Sequence, residues 1–203
     1  LQLTAGRNRI DATNGQVVEH LPGTPASIDA SLFGAMHAGR IRVVSTAEGA
    51  GVRVGAIAMH GRDGIDIQSA GSLHIGDNGP HGAGLRNRRG GLNLNASGDV
   101  RLQAVTGQGK SIDVNAGQKL TLDTAAQENI ERERKAWDKK WLFVTTETYE
   151  SNTTTTQHTL QGTQLKADDR LALKSGGDMQ LQAATLQAGG ALTLDSAANL
   201  NIE

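Results

Sequence analysis

Apolar side chains near the C-terminus recur in pairs that are separated by one residue. Leu192 pairs in this way with Leu194, and Leu200 pairs with Ile202, while small and polar residues fill the positions between them. This alternation is typical of a short strand with one buried face. Each run is too short to be stable by itself, so we expect each strand to pack against repeats of the same pattern.

The pairs repeat along the chain at a nearly constant interval. Leu171 and Leu192 are equivalent positions 21 residues apart, and Val100 and Leu120 are equivalent positions 20 residues apart. The steps between pairs inside one period are 6, 8 and 7 residues, which predicts three strands and three corners in each coil. Upstream, the intervals are 21, 24 and 27 residues, for Val52 and Leu73, Ile41 and Ile65, and Ile65 and Leu92.

A three-faced solenoid with 20–21 residues per coil explains this period. Stacked coils pair their strands in parallel, about 4.8 Å apart, and bury a continuous aliphatic column. Parallel crossover connections are right-handed in nearly all proteins. The sequence therefore predicts an all-β fold, a right-handed parallel β-helix, with roughly eight coils and a length on the order of 40 Å.

The period fails between two stretches of regular coils. We therefore expect β-helix coils over 1–122, an insertion over 123–164, and coils of the same solenoid over 165–203. The second half of the insertion, 141–156, is rich in β-branched and aromatic residues and favours a strand. The insertion thus lies outside the solenoid repeat.

Two conformations are open for this insertion. Its first half has charge pairs at i,i+4 spacing, such as Glu128 with Arg132, which favour a helix followed by a strand. The alternative is a two-stranded β-arm with its turn near 136–140. We favour the arm, because two antiparallel strands leave and rejoin the same corner of the solenoid naturally.

Aromatic residues form only 2% of the chain, and most of them are in the insertion. Trp and Tyr are enriched at the centres of protein interfaces, so this cluster is a candidate contact surface for a partner. The alternative is that these rings lie back on the flank of the solenoid. The candidate contact residues are Trp137, Trp141, Phe143 and Tyr149.

The glycine-rich stretch 76–90 is interpreted as a loop that contains the surplus of the 27-residue interval. It carries three arginines, Arg86, Arg88 and Arg89, in the run RNRRGG. These are candidate contacts to an anionic glycan, and a solvated loop is the alternative interpretation.

Two stretches resemble the filamentous haemagglutinin family, which includes the contact-dependent growth-inhibition exoproteins. The first is FGAMHAGRIRVVSTAEGAGVRVG, residues 33–55, and the second, at 139–190, is similar to the haemagglutinin repeats of these proteins. The degenerate repeats extend the likeness over nearly the whole chain. The residues of the first motif are Ala38, Gly39, Ile41, Thr46, Gly49, Gly51 and Val52.

This resemblance implies a very large protein that is exported by two-partner secretion through an outer-membrane transporter. It also implies a β-helical shaft that is secreted to, or displayed on, the surface of a Gram-negative cell. The chain has no starting Met and no signal peptide, so we interpret it as a piece of a longer protein. On this basis we expect a structural segment that displays a distal adhesive or toxin region, contributing to virulence.

Composition narrows the classes of partner and chemistry. The net charge of -1 does not indicate a basic surface for nucleic acid, and no apolar run is long enough to cross a bilayer as a helix. Cysteine is absent, which excludes disulfides and thiolate metal sites. We expect no metal, no cofactor and no stable membrane insertion, and the remaining partner is a target-cell receptor or glycan.

The main rival class is an enzyme, since some parallel β-helices cleave polysaccharides. Such a site needs two or three carboxylates that converge on one face. Asp63, Asp66 and Asp77 are close in sequence, and Asp168 and Asp169 form a second group, but corner aspartates usually cap local backbone. The histidines lack the spacing of a helical zinc pair. We therefore predict no enzymatic activity, with a receptor- or glycan-binding module as the first alternative and a polysaccharide lyase or hydrolase as the second.

Overall fold

The computed structural model describes residues 1–6, 8–11, 13–14, 17–21, 27–29, 35–77, 82–141 and 144–203. For 10, 17, 20, 127–141, 144–151 and 156–158 the description covers the backbone and not the side chains. Every regular element in the described ranges is a strand. The strands are β1 (Gln2–Ala5), β2 (Asn8–Ile10), β3 (Val17–His20), β4 (Ile28–Asp29), β5 (Met36–Ser45), β6 (Val52–Val54), β7 (Ala58–Ser69), β8 (Leu73–Ile75), β9 (Ala83–Asn87), β10 (Leu92–Ala96), β11 (Val100–Gln103), β12 (Val105–Ala116), β13 (Leu120–Asp123), β14 (Ala125–Trp141), β15 (Val144–Gln161), β16 (Gln164–Ser175), β17 (Met179–Leu181), β18 (Thr185–Ala188), β19 (Leu192–Ser196) and β20 (Leu200–Ile202).

Parallel pairing stacks these strands into a solenoid with three faces. The first face consists of β9, β18 and the first halves of β5, β7, β12 and β16. The second face consists of β1, β10, β19 and the second halves of the same long strands. The third face is a separate sheet of β4, β6, β8, β11, β13, β17 and β20. The predicted three-faced parallel β-helix is therefore confirmed.

The long strands bend where the first face meets the second. The register of β5 with β7 shifts between Ala38 and Arg40, and that of β12 with β16 shifts between Gly109 and Ser111. Such irregularities bend a strand without breaking it. One continuous strand can therefore contribute to two faces.

The observed register follows the sequence period. Leu171 is paired with Leu192, and Leu200 is paired with Met179, as the 21-residue shift predicts. The longer shift is also confirmed, because Ile65 is paired with Leu92. Side chains one period apart thus lie directly above one another.

An aliphatic column fills the interior along the second face. Its members are stacked in register and none has exposed surface, so each contributes about 1.5–3 kcal/mol through burial. No described aromatic side chain belongs to this core. The column consists of Ile41, Ile65, Leu92, Ile112 and Leu171.

The described strands form six coils that have all three faces, fewer than the expected eight. Among the described residues before 36, only β1 and β4 join the solenoid sheets, while β2 and β3 pair with each other. The coils that follow are also longer than 21 residues, as the pairing of Met59 with Leu85 shows. Both features reduce the number of coils that the chain can form.

The insertion forms a two-stranded antiparallel arm. β14 and β15 are paired from Ala125 with Gln161 at the base to Trp141 with Val144 at the far end. The arm is thus confirmed over the helix-plus-strand alternative. The expected turn near 136–140 is wrong, because pairing continues through these residues and the strands end at Trp141.

Buried polar groups attach the base of the arm to the solenoid. Thr163 is fully buried, and its hydroxyl lies 3.1 Å from the carbonyl oxygen of Leu102. The Thr163 hydroxyl oxygen also accepts a hydrogen bond from the backbone N–H of Val105 at 3.3 Å. The side-chain amide of Gln103 donates to the carbonyl of Thr124 at 3.1 Å. These contacts fix the place where the chain leaves and re-enters the coils.

Candidate anion-binding groove

A polar groove of about 710 Å³ runs across the outer surface of the first face. Its charged and titratable lining comes from five strands and corners of the solenoid. Most of these groups are cationic or can become so. They are His37, His60, Arg62, Arg86, Arg88 and Asp168.

The floor of the groove is a column of outward side chains, one from each coil. Inward residues such as Met59 and Leu85 are buried, so the residue after each of them must point out of the solenoid. Because the register is parallel, these outward residues stack. The column reads His37, His60, Arg86, Gln108 and Lys166 along consecutive coils.

Two histidines of this column stack face to face. The ring centroids of His37 and His60 are 4.7 Å apart, and the ring planes differ by 10°. Desolvation lowers the pKa of His60, and the nearby charges of His37 and Arg86 lower it further. An anion beside His60 would therefore favour its protonated form.

The arginines at this groove differ in their ion pairing. Arg62 lies 3.3 Å from Asp63, with both side chains largely exposed. Arg86 and Arg88 form no ion pair with any described residue, and both are exposed. Elsewhere on the shaft many cations pair with an aspartate of the adjacent coil, as in Arg42 with Asp66, Arg101 with Asp123, Arg170 with Asp113 and Lys174 with Asp195.

Small residues leave space beside the cationic column. The neighbouring outward column contains Ala58, Gly84 and Thr106 in register. A Cβ atom added at Gly84 would have no heavy atom within 4 Å. The side of the groove is therefore open to a ligand that is thicker than a single ion.

The structure places the three predicted arginines differently from the expected loop. Arg86 lies on β9 and not in a loop. The neighbouring Leu85 is a buried, inward residue of the first face, so Arg86 is part of the same strand. Arg88 lies at the following corner and lines the groove. Arg89 is exposed, and its backbone N–H donates to the carbonyl of Arg62 at 2.9 Å. It is not among the lining residues of the groove.

The predicted aromatic contacts are in or beside the arm. Trp137 and Tyr149 are register partners in the backbone of β14 and β15, and Trp141 ends β14. The side chains of these three residues, and all of Phe143, lie outside the described part of the chain. Their role as partner contacts stays a prediction.

The candidate catalytic carboxylates belong to different parts of the coil. Asp63 is at the corner between the first and second faces, Asp66 is on the second face beside Arg42, and Asp77 follows the third face. Asp168 lines the groove, while Asp169 lies 3.8 Å from Lys110. Within the described residues, no group of three His, Asp or Glu side chains is placed to hold a metal ion.

The histidine stack was not anticipated from the sequence. The aliphatic pairs that make the coil shift visible are clearest on the second and third faces. Applied to the first face, the shift of 23 residues that pairs Met36 with Met59 also places His37 over His60.

Comparisons with known proteins agree on one group of relatives. Residues 135–203 match the family model of the hemagglutinin repeat. The chain is 33% identical over 138 residues to a protein named tRNA nuclease CdiA from Yersinia mollaretii, covering 60% of this chain and 4% of that protein. It is 25% identical over 202 residues to a protein named Hemolysin from Proteus mirabilis, covering 87% of this chain and 13% of that protein.

The chain thus spans only a small part of the length of the relatives it matches. No solved structure gives a significant match. The described residues contain no helix that is long and apolar enough to span a bilayer.

Proposed function

Because the chain belongs to the haemagglutinin-repeat exoproteins that its sequence resembles, we propose that it is a shaft segment that holds a distal adhesive or toxin region away from the cell. The observation that carries this proposal is the unbroken aliphatic column through consecutive coils. Six coils at about 4.8 Å give a rod of about 30 Å, and further coils in a longer protein would extend it.

The proposal also accounts for a chain that is built from small repeated coils. On this proposal an outer-membrane transporter of the two-partner type passes the chain unfolded, and the coils form outside on the surface of a Gram-negative cell. Each coil contacts only its neighbours, so folding can proceed one coil at a time. The residues at 1–122 and 165–203 then act as one shaft, and 123–164 as an appendage.

The shaft proposal is tested by changing length separately from sequence. In the full exoprotein, deleting the coils from 165 to 203 should reduce the reach of the distal region and its delivery to target cells. Replacing them with an unrelated β-solenoid of equal length should restore both. Restoration by length alone supports a spacer, whereas failure of the matched replacement would show that this segment has a specific recognition role.

A second candidate function is recognition through the arm. The concentration of aromatic residues there, with Trp137 opposite Tyr149 in register, favours it. Deleting residues 126–162 leaves Thr163 in place to close the coil. Loss of cell binding with unchanged thermal stability would support a recognition arm, and unchanged binding would reject it.

No enzymatic role is part of this proposal. Alanine substitutions at Asp63, Asp66 and Asp77 are expected to have no effect in a screen on acidic glycans, because we expect no turnover by the unaltered chain. Measurable cleavage that any of these substitutions abolishes would contradict this.

A further inference from the structure

We propose that the groove on the first face binds a linear acidic polysaccharide, with uronate carboxylates lying along the column of His37, His60 and Arg86. The proposal concerns a site on this segment and does not depend on its role as a shaft. It assigns a ligand to the exposed cations of the groove that form no ion pair with a described residue.

The spacing of the cations is the first argument. Successive members of an outward column are separated by the distance between paired strands, about 4.8 Å. A linear uronate chain presents one carboxylate per sugar ring, and a sugar ring is comparable in length to this separation. A chain parallel to the solenoid axis can therefore place successive carboxylates beside successive coils.

The available hydrogen-bond donors are the second argument. Arg86 and Arg88 form no ion pair with a described residue, so their guanidinium groups are open to bidentate contacts with carboxylates. Single exposed ion pairs are weak, but several on one polymer act together. Among the described lining residues the anionic side chain is Asp168, so it marks one end of the region that favours an anion.

The shape of the groove favours a sugar over a nucleic acid. A Cβ atom added at Gly84, beside the cationic column, would meet no heavy atom within 4 Å, so a sugar ring can approach the column from this side. Single-stranded nucleic acids bind where aromatic side chains stack on the bases, whereas the described rings that line this groove, His37 and His60, are stacked on each other. These features favour a polymer with regularly spaced charges whose binding does not require stacking on aromatic side chains.

Binding is expected to strengthen as the pH falls through the range in which histidines gain protons. The charged or titratable groups that line the groove with His37 and His60 are Arg86 on β9, Arg62 and Arg88 at the corners, and Asp168 on β16. Each protonated ring adds a cation to the column, and the bound carboxylate offsets its repulsion from Arg86. The gain ends where the uronates themselves become protonated, at about pH 4.

The first experiment measures affinity for a fluorescent oligogalacturonate by anisotropy, at about pH 5.5 and about pH 7.5 and low salt. The unaltered chain should bind the probe more tightly at the lower pH, and should not bind a neutral dextran of equal length. Arg86→Gln and Arg88→Gln should each weaken binding about tenfold. Arg53→Gln makes the same charge change on the exposed third face and should leave the affinity unchanged.

The second experiment uses Gly84, where a side chain has room and the backbone is not left-handed. Gly84→Glu puts a negative charge beside the column and should abolish binding. Gly84→Gln adds the same bulk without the charge and should reduce affinity by less. Since the site is open, both variants should keep the melting temperature of the unaltered chain, so binding can be judged even if an arginine variant unfolds.

The results that would overturn the proposal are specific. Absence of binding by the unaltered chain would overturn it, as would an equal loss in Arg53→Gln. Tighter binding of a single-stranded oligonucleotide than of the oligogalacturonate would show that the groove is a nucleic-acid site. If His37→Gln and His60→Gln keep the pH dependence of binding, the histidines do not contribute to the site.

Discussion

At the scale of single residues, the described interior consists of stacked aliphatic side chains. Leu92 has no exposed surface and stacks between Ile65 and Ile112. We expect Leu92→Ala to reduce the free energy of unfolding by about 2–5 kcal/mol, because it removes buried contacts and leaves a cavity. Urea denaturation measures this loss. Leu200→Ala is the control, since Leu200 is 44% exposed, and an equal loss there would contradict a buried column.

Glycines at the corners of the coils also affect stability at the scale of single residues. Gly76 has a φ of 91°, and a Cβ atom there would lie 1.9 Å from the carbonyl oxygen of Gln103. Gly49 also has a positive φ, 75°, but its Cβ would meet no atom within 4 Å. We therefore expect Gly49→Ala to cost about 1–2 kcal/mol from backbone strain alone.

Gly76→Ala should cost more than Gly49→Ala, because the clash with the next coil is added to the same strain. Thermal melts of the two variants compare them directly. Equal melting temperatures would show that the corner at Gly76 relaxes away from Gln103.

At the scale of elements, the arm is joined to the solenoid by a small number of buried polar contacts. Replacing Thr163 with valine keeps its shape but removes the hydroxyl that contacts Leu102 and accepts from Val105. We expect a loss of about 1–3 kcal/mol, because buried partners are left without a hydrogen bond. Thr193→Val, at an exposed position of β19, is the matched control for the same chemical change.

The effect of Thr163→Val should be measured at the base of the arm as well as on the stability of the whole chain. Proteolysis of the arm base should become faster in Thr163→Val, because the corner that closes the coil is weakened. If the arm base keeps the protection of the unaltered chain while global stability falls, the hydroxyl serves the coil and not the arm.

Elements also show how far the sequence could predict the structure. The second and third faces were predictable, since paired aliphatic residues such as Val100 and Leu102 mark each strand. The first face was harder, because Gly107 occupies an inward position and Leu165 of the next coil fills its space. The candidate groove lies on that face, so the stacking of His37 on His60 could not be derived from aliphatic spacing alone. In the arm, pairing with β15 extends β14 through the charged residues where a turn was expected.

At the scale of the whole molecule, stability is distributed among coils that contact only their neighbours. β10–β13 have paired strands on both sides, whereas β18, β19 and β20 are paired on one side only. Leu192, Leu200 and Ile202 in this last coil are correspondingly exposed. We infer that opening of the isolated chain from this end begins at this coil and proceeds inward.

Native-state hydrogen exchange read by mass spectrometry tests this order. Amides of β18–β20 should exchange first, those of β16 and β17 next, and those of β10–β13 last, because each opened coil exposes the next one. A capped variant, in which a designed polar coil is fused after Glu203, should raise protection in β18–β20 and leave β10–β13 nearly unchanged. Simultaneous exchange of all coils in both proteins would instead mean that the shaft opens as one cooperative unit, which would exclude coil-by-coil folding as the means of assembly outside the cell.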